Sequence, residues 1–223
     1  IPVEFYKKDY ANGKKRIILT DEIYKLQETP FADNFALETE SRWNLVETAW
    51  ELNISRNLLN VRYDEGSKIF FVDSNFKRKD VTSARGALNG YQKGKCFYCF
   101  DDITVSGDDT NTCDVDHFFP HTLQPLFPDI NLDGVWNLVL TCPACNRGEG
   151  GKFARVPATK YLTRLHKRNE FLISSHHPLR ETIIRQTGAT EQERRAFLAS
   201  VDQRAIDALV HRWETPEVAP ATF

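Results

Sequence analysis

Two C-x-x-C pairs constrain this sequence more than any other feature. Cys96 and Cys99 stand in KCFYC, and Cys142 and Cys145 stand in TCPAC. Each pair can present two thiolates to one tetrahedral ion, and a closed shell of four sulfurs suits a redox-inert structural zinc ion. We therefore predict a Zn²⁺ ion that joins the two pairs and holds the fold together.

Other interpretations of the cysteines stay open at this stage. One pair could be a redox dithiol or a buried packing pair, although the spacing argues against structural disulfides. Cys113 belongs to neither pair. Its position at the start of a predicted strand favours the role of a small core residue.

The composition indicates a globular protein of one or two domains. The chain has 223 residues, of which 41% are hydrophobic, and this is enough to build a core. No apolar run approaches the roughly 20 residues that a transmembrane helix needs, and the N-terminal segment lacks the apolar core of a secretory signal. We expect a cytoplasmic protein without a membrane partner.

The distribution of charge is more informative than the net charge of −2. That net charge argues against a general nucleic-acid binder, but it allows a local positive groove. Residues 147–223 hold 13 Lys and Arg against 9 Asp and Glu, whereas residues 1–146 hold 16 against 22. The positive excess therefore follows the second cysteine pair.

Hydrophobic periodicity predicts an α+β chain in three regions. Residues 1–94 are predicted to be mostly helical, with one small hairpin at VRYDEGSKIFFVD. Residues 95–157 have the pattern of a strand, a loop, a second strand and a helix, and this helix starts at PACNRGEGGKFARV. Residues 158–223 return to helix, and in the last helix Thr190 is the predicted N-cap with Glu193 as its capping-box partner.

Local signals predict several boundaries. Helical spacing in ALETESRWNLVETAWELN extends to Leu52, and Gly94 is predicted to end the helix before the first cysteine pair. The polar segment 101–112 is predicted to be an exposed loop. The last helix is predicted to run to Glu214.

An Asp-His step lies between the cysteine pairs, at Asp116 and His117 in DVDHFFPH. A hydrolytic nuclease needs a base that activates water and a cation that stabilises charge on the phosphate. Imidazole titrates near neutral pH, and a carboxylate is a hard oxygen ligand for Mg²⁺ or Mn²⁺. Neighbouring residues of a regular strand point to opposite faces, so we expect the strand to end or bend before Pro120.

Together these elements resemble the HNH endonuclease family. The resemblance is carried by Cys96 and Cys99, the run DHFFP, the run NLVLTCPACN and Lys152, and it covers about residues 95–155. It implies a central ββα-metal nuclease core with a four-cysteine zinc site, between mainly helical flanks. It also implies a metal-dependent endonuclease that hydrolyses nucleic-acid phosphodiester bonds, and DNA is favoured because the family mostly cuts DNA.

The resemblance assigns a role to each matched residue. His117 stands where the family has its general base, and Asp116 stands where it has the first ligand of a catalytic Mg²⁺ or Mn²⁺ ion. Asn137 matches the central Asn, which holds the loop and orients the base. Asn146 occupies the third family position, often a His, and its amide oxygen favours Mg²⁺ over softer ions. A helix-cap role for Asn146 and a turn role for Asn137 stay open.

Two cations after the second cysteine pair are candidate phosphate ligands. Arg147 and Lys152 are predicted to lie on the helix close to Asn146, where the helix N-terminus and a glycine-rich backbone would help to bind the scissile or an adjacent phosphate. A solvated helix face is the alternative. Trp136 is predicted to be a core residue, and His121 is expected to be an exposed loop residue.

Two rival functions are compatible with the same residues. A zinc-knuckle module could bind nucleic acid or protein without catalysis, but such a module has no need of an internal base. The flanking helices could also bind a protein partner. By analogy with bacterial HNH proteins, that partner would be an ATPase or a helicase in restriction or phage defence.

Overall fold

The computed structural model describes residues 3–30, 32–51, 60–74, 77–80, 84–105, 112–216 and 218–223. It combines helices with small sheets, which confirms an α+β fold. Among the described residues no helix is both long and apolar enough to cross a membrane. The helices are α1 (Ala32–Glu51), α2 (Ala84–Gln92), α3 (Pro143–Arg147), α4 (Thr159–Ser174), α5 (Arg180–Thr187) and α6 (Glu191–Leu209). The strands are β1 (Tyr6–Asp9), β2 (Arg16–Leu19), β3 (Val61–Asp64), β4 (Ile69–Ser74), β5 (Lys77–Asp80), β6 (Asp114–His117), β7 (Leu138–Thr141), β8 (Val156–Pro157) and β9 (Arg212–Trp213).

The N-terminal region differs from the prediction, because residues 6–19 form a β-hairpin rather than a helix. β1 and β2 pair antiparallel, with Tyr6 opposite Leu19. Gly13 in the connecting turn has a φ of +70°, a conformation that glycine adopts without steric cost. A 3-10 helix at Asp21–Leu26 then leads toward α1, where the sequence predicts a helix.

The predicted hairpin at residues 61–73 is confirmed, and it belongs to a three-stranded sheet. β3 pairs antiparallel with β4, and β5 adds a third strand that the sequence did not predict. Val61 and Tyr63 are buried while their neighbours in β3 are half-buried, which is the alternation of a strand with one core face. The turn of this hairpin brings Glu65 next to His117.

β6 and β7 form a short antiparallel ribbon, and α3 follows β7 directly, so the order strand, loop, strand and helix agrees with the prediction. In the ribbon Asp116 lies opposite Val139 and His117 lies opposite Leu138. β6 ends at His117, which agrees with the predicted break before Pro120. The Asp-His step therefore occupies the last two positions of the strand, where the regular alternation ends.

Two helix ends differ from the predictions. α3 ends at Arg147, because Gly148 and Gly150 continue in non-helical backbone, Gly150 with a φ of +72°. α6 ends at Leu209 instead of Glu214. The chain then forms β9, which pairs in parallel with β8.

Other predicted boundaries are confirmed or lie outside the described residues. Thr190 and Glu193 form the predicted capping box at the start of α6. Gly94 follows α2 with a φ of +75°, as expected for a residue that ends a helix. Leu52 and residues 106–111 of the predicted loop are not among the residues that the structure describes. In the described part of that loop Asp101 and Asp102 are exposed, as predicted, but Ile103 is buried in the core.

The hydrophobic core surrounds the start of β7. Trp136 and Cys113 are buried, as predicted for core residues. Arg168 on α4 is also buried, and its guanidinium donates hydrogen bonds to the main-chain oxygens of Val135, Trp136 and Leu138. These acceptors offset the cost of burying the charge. α4 thereby fixes the position at which β7 begins.

His177 is a buried histidine between α2 and the start of α5. Its Nδ1 accepts a hydrogen bond from the main-chain N–H of Leu179 at 3.1 Å, and its Nε2 lies 3.2 Å from the main-chain oxygen of Ala87. These partners fit a neutral ring with the proton on Nε2. Burial, together with the positive charges of Arg42 and Arg168, lowers the pKa of His177 to about 3.

We predict that His177 makes the fold sensitive to acid. Its pKa is lower in the folded than in the unfolded chain, so its stabilisation is complete above pH 6.5 and is lost as the pH falls toward 3. Between pH 7 and pH 5 this group should lower the free energy of unfolding by about 2 kcal/mol. Urea unfolding at the two pH values should therefore show a smaller decrease for His177→Leu than for the wild-type chain. The exposed His211→Leu variant is the control, and an equal decrease in all three chains would contradict the prediction.

Candidate functional site

The four paired cysteines meet in one cluster, as the sequence predicts. The sulfur atoms of Cys96, Cys99, Cys142 and Cys145 lie within 4.8 Å of one another, and those of Cys99 and Cys142 are 3.7 Å apart. Sulfur ligands of a tetrahedral zinc ion are about 3.8 Å apart, because each lies about 2.3 Å from the metal. All four thiols are free of disulfides and largely buried. The cluster could therefore bind a structural zinc ion.

The cluster favours deprotonation of Cys142. Hydrogen bonds from the thiols of Cys145, Cys96 and Cys99 hold the pKa of Cys142 well below its usual range. The main-chain N–H of Cys145 also donates to the Cys142 sulfur at 3.4 Å, because Cys142 is the N-cap of α3. A thiolate at this position is the form that binds a metal cation.

Neighbouring segments fix both cysteine pairs in place. The main-chain N–H of Phe97 donates to the oxygen of Leu140 at 3.0 Å, and so links the first pair to β7. The Gln92 side chain donates to the same oxygen and accepts from the N–H of Leu140. Ala219 donates its main-chain N–H to the oxygen of Cys99 at 2.8 Å. α2, β7 and the C-terminal segment therefore meet at the cluster.

We predict one zinc ion per chain in this cluster. Cys142→Ser should lose the zinc and most of the cooperative thermal transition, because a structural zinc ion contributes about 10 kcal/mol or more to the folding of small zinc domains. Cys113→Ala is the matched control, since Cys113 lies outside the cluster. Metal analysis and calorimetry would measure both variants, and equal zinc content in the two would contradict the prediction.

An open cleft of about 400 Å³ collects four of the predicted functional residues. Asp116, His117, Asn146 and Arg147 all line it. Glu65, in the turn between β3 and β4, lines the same cleft. Residues of the β6–β7 ribbon, of α3 and of the three-stranded β3–β5 sheet thus meet at one surface that solvent can reach.

His117 is buried and held between two carboxylates. Its Nε2 lies 3.0 Å from Oδ1 of Asp133, and its Nδ1 lies 3.4 Å from Oε2 of Glu65. Burial disfavours the charged ring, but the hydrogen bonds to Asp133 and Glu65 outweigh it and raise the pKa of His117. The contact with His117 also lowers the pKa of Glu65 to about 2.

Asp133 is a functional candidate that the sequence analysis missed. Its Oδ1 lies 2.7 Å from Nδ1 of His121, so one carboxylate oxygen contacts two imidazoles. In the neutral ring a carboxylate at Nε2 of His117 keeps the proton on that nitrogen and leaves Nδ1 as the basic nitrogen. In the protonated ring Nδ1 donates to Glu65 instead. The three side chains are also close enough to hold a metal ion. His121 is exposed, as expected, but it begins a 3-10 helix and has a defined partner in Asp133.

Asp116 is buried, and both of its oxygens accept hydrogen bonds. Oδ2 accepts from the hydroxyl of Tyr98 at 2.6 Å, and Oδ1 accepts from the ammonium of Lys152 at 2.9 Å. Each carboxylate oxygen has a second acceptor position, so Asp116 retains the capacity to bind a cation. The two buried donors fix the orientation of the carboxylate.

Lys152 does not occupy the position predicted for a phosphate ligand. Its ammonium is fully buried and donates to Asp116 and to the main-chain oxygens of His117 and Phe153. These three acceptors use all three of its N–H donors, so none is left for a phosphate. In the structure Lys152 neutralises Asp116 and holds the end of β6.

Asn146 and Arg147 both face Asp114 at the other end of β6. The Asn146 amide donates to Oδ2 of Asp114 at 3.1 Å, and the Arg147 Nε donates to the same oxygen at 2.8 Å. Asn146 lies inside α3, whose N-cap is Cys142, so it does not cap this helix. Its amide group lines the cleft, and the Arg147 side chain is mostly exposed.

Asn137 is fully buried and holds the loop that follows His117. Its Oδ1 accepts a hydrogen bond from the N–H of Phe119 at 2.8 Å, and its Nδ2 donates to the main-chain oxygens of Phe119 and Leu132. These are the bonds of a residue that fixes a loop. The groups that contact the His117 ring directly are Asp133 and Glu65.

Comparisons of the chain with protein-family models, with curated proteins and with solved structures found no match. No relative therefore assigns a role to any residue. The function is inferred from the cysteine cluster, from the cleft and from the sequence resemblance.

Proposed function

We propose that this protein is a metal-dependent HNH-type endonuclease that hydrolyses phosphodiester bonds of DNA. The observation that carries the proposal is the meeting of Asp116, His117 and Asn146 around one open cleft. The order of β6, β7 and α3 supports a ββα-metal core, and the cysteine cluster supports the zinc site of the four-cysteine type.

His117 is the proposed general base. Asp133 keeps a proton on Nε2, so Nδ1 can accept a proton from the attacking water. Glu65 lies 3.4 Å from Nδ1, so its carboxylate must move aside before the attacking water can reach the base. Lys152 holds the main-chain oxygen of His117, and Asn137 holds the main chain of Phe119 two residues later, which limits movement of the ring during the proton transfer.

Asp116 and Asn146 are the proposed ligands of Mg²⁺ or Mn²⁺. Both offer oxygen donors, which these hard cations prefer. When bound, the cation would stabilise negative charge on the phosphate and on the departing 3′ oxygen. Tyr98 and Lys152 hold the Asp116 carboxylate in place before any cation binds, so little reorganisation is needed.

Arg147 is the proposed phosphate ligand, and the zinc ion is proposed to be structural only. The Arg147 guanidinium is exposed at the cleft, and a planar guanidinium can bind two phosphate oxygens at once.

A protein partner such as an ATPase or a helicase, and a role in restriction or phage defence, are proposed by analogy alone.

A zinc-knuckle module that binds nucleic acid or protein without catalysis is the alternative function. Such a module needs no general base. The buried ring of His117, held between Asp133 and Glu65, therefore favours catalysis. Cleavage assays separate the two functions directly.

We predict that the zinc-loaded protein nicks or linearises supercoiled plasmid in Mg²⁺ or Mn²⁺, and that it is inactive without them. His117→Ala should lower the rate by about 100-fold or more, because a general base contributes roughly 10²- to 10⁴-fold. Its zinc content should not change and the chain should stay folded, with an unfolding transition that is lowered by the loss of a buried ring. His211→Ala, at an exposed histidine outside the cleft, should cut at the wild-type rate. Full activity of His117→Ala would contradict the assignment.

We also predict that Asp133→Asn lowers the cleavage rate by about 10- to 100-fold while plasmid binding is retained. The amide keeps the shape of the carboxylate but no longer fixes the proton on Nε2 of His117. His121→Gln is the matched control, because His121 contacts Asp133 without acting as the base. Equal rates for Asp133→Asn and the wild-type chain would exclude an orienting role for Asp133.

A further inference from the structure

The β1–β2 hairpin carries a concentrated positive charge that the proposed mechanism does not use. Residues 3–19 hold five basic side chains and only two acidic ones, Glu4 and Asp9, a local charge of +3 in a chain with a net charge of −2. All five basic side chains are exposed. They are Lys7, Lys8, Lys14, Lys15 and Arg16.

These five cations make no ion pair with any residue that the structure describes. Exposed cations elsewhere do form such pairs, for example Lys160 with Glu214 and Arg195 with Glu191. Five unpaired cations on one short hairpin repel one another, and a nearby polyanion would relieve that repulsion. The hairpin therefore has the electrostatics of a surface that binds an acidic partner.

The register places the cations on both faces and at the tip of the hairpin. Lys7 and Arg16 share one face, and Lys8 lies on the other. Lys14 and Lys15 lie in the turn, after a short 3-10 helix. A two-stranded ribbon of this kind fits the major groove of a DNA duplex, where cations on both faces can reach the two flanking phosphate backbones.

Exposed aromatic rings lie among the cations. Tyr6 is 49% exposed and Tyr10 is 61% exposed. Surfaces that bind single-stranded nucleic acid use cations for the phosphates and aromatic rings for the bases, whereas in a duplex the bases are stacked on one another and the cations supply the main contacts. Ile17 and Leu19 are exposed as well and would suit a protein surface. The charge favours nucleic acid, because duplex DNA presents one negative charge per about 1.7 Å and can neutralise all five cations together.

We propose that the β1–β2 hairpin is a DNA-binding arm. Three residues at its tip contact the phosphate backbone, namely Lys14 and Lys15 in the turn and Arg16 at the start of β2. The choice of DNA rests on the proposed nuclease function. The arm holds the duplex, while the cleft around His117 carries out the hydrolysis. An isolated two-stranded hairpin is marginally stable in water, so a bound duplex would also stabilise the arm.

The test measures binding of a fluorescent DNA duplex by anisotropy at several salt concentrations, without Mg²⁺ and in a full-length His117→Ala background. The triple variant Lys14→Gln, Lys15→Gln and Arg16→Gln should bind about tenfold or more weakly. It should also lower the slope of log affinity against log salt concentration by about 2 to 3, because each lost phosphate contact lowers that slope by about one. Its unfolding transition should not change, since the three side chains are exposed.

The matched control removes three exposed positive charges from the C-terminal helices. This variant is Lys167→Gln, Arg185→Gln and Arg195→Gln, and it has the same net charge as the tip variant. Its affinity for the duplex should stay within about twofold of the parent chain. An equal loss of affinity in the two variants would show a general effect of charge, and the proposed DNA-binding arm would be wrong.

The outcomes separate the arm from the nuclease. An unchanged affinity and salt slope in the tip variant would overturn the arm even if the plasmid is cut. A specific loss of binding in the tip variant would support the DNA-binding arm. If the chain that retains His117 then cuts no plasmid, the proposed nuclease function alone is wrong. If the tip substitutions convert a dimer to a monomer in light scattering and leave DNA binding unchanged, the partner is a second copy of the chain and the DNA-binding arm is wrong.

Discussion

Four sulfur atoms from two segments of chain meet in one cluster, although the nearest cysteines of the two segments are 43 positions apart, and a zinc ion there would join the segments that carry the candidate cleft. β6 and the loop after it lie between these segments, and α3 starts at one of the ligands. Closing such a loop costs chain entropy, which grows slowly with its length. Zinc binding can supply considerably more free energy than this cost. A zinc ion in the cluster would thus fix the ends of the segment that presents Asp116 and His117.

Around that junction, buried polar groups position the residues of the cleft. Arg168 binds the main-chain oxygens where β7 begins, and Asn137 fixes the loop after β6. Lys152 joins the Asp116 carboxylate to the end of the strand. The side-chain N–H donors of Asn137 and Lys152 are all paired inside the protein, and Arg168 is buried away from the cleft, so these groups hold geometry and present no donor to a substrate. The exposed Arg147 and the open face of the cleft are left for that purpose.

The sequence predicted those parts of the site that local patterns determine. The cysteine spacing identified the cluster, and the Asp-His step marked the end of β6. Asp133 and Glu65 were missed because their role depends on a loop and a hairpin that only the folded chain brings to His117. Lys152 was assigned to a phosphate because its sequence neighbours are glycines, and nothing local shows that its ammonium is buried. The β1–β2 hairpin was missed because polar residues interrupt its strand pattern.

We propose that two metal ions have separate roles in this protein. Zinc stabilises the fold, and Mg²⁺ or Mn²⁺ supports the hydrolysis. The most direct measurement prepares the protein with zinc alone, titrates Mg²⁺, and follows cleavage of a DNA duplex together with zinc content. We expect one zinc ion per chain throughout, no cleavage before Mg²⁺ is added, and a rate that rises to saturation with Mg²⁺. Full cleavage by the zinc-only protein would contradict the claim, because a single metal ion would then serve both purposes.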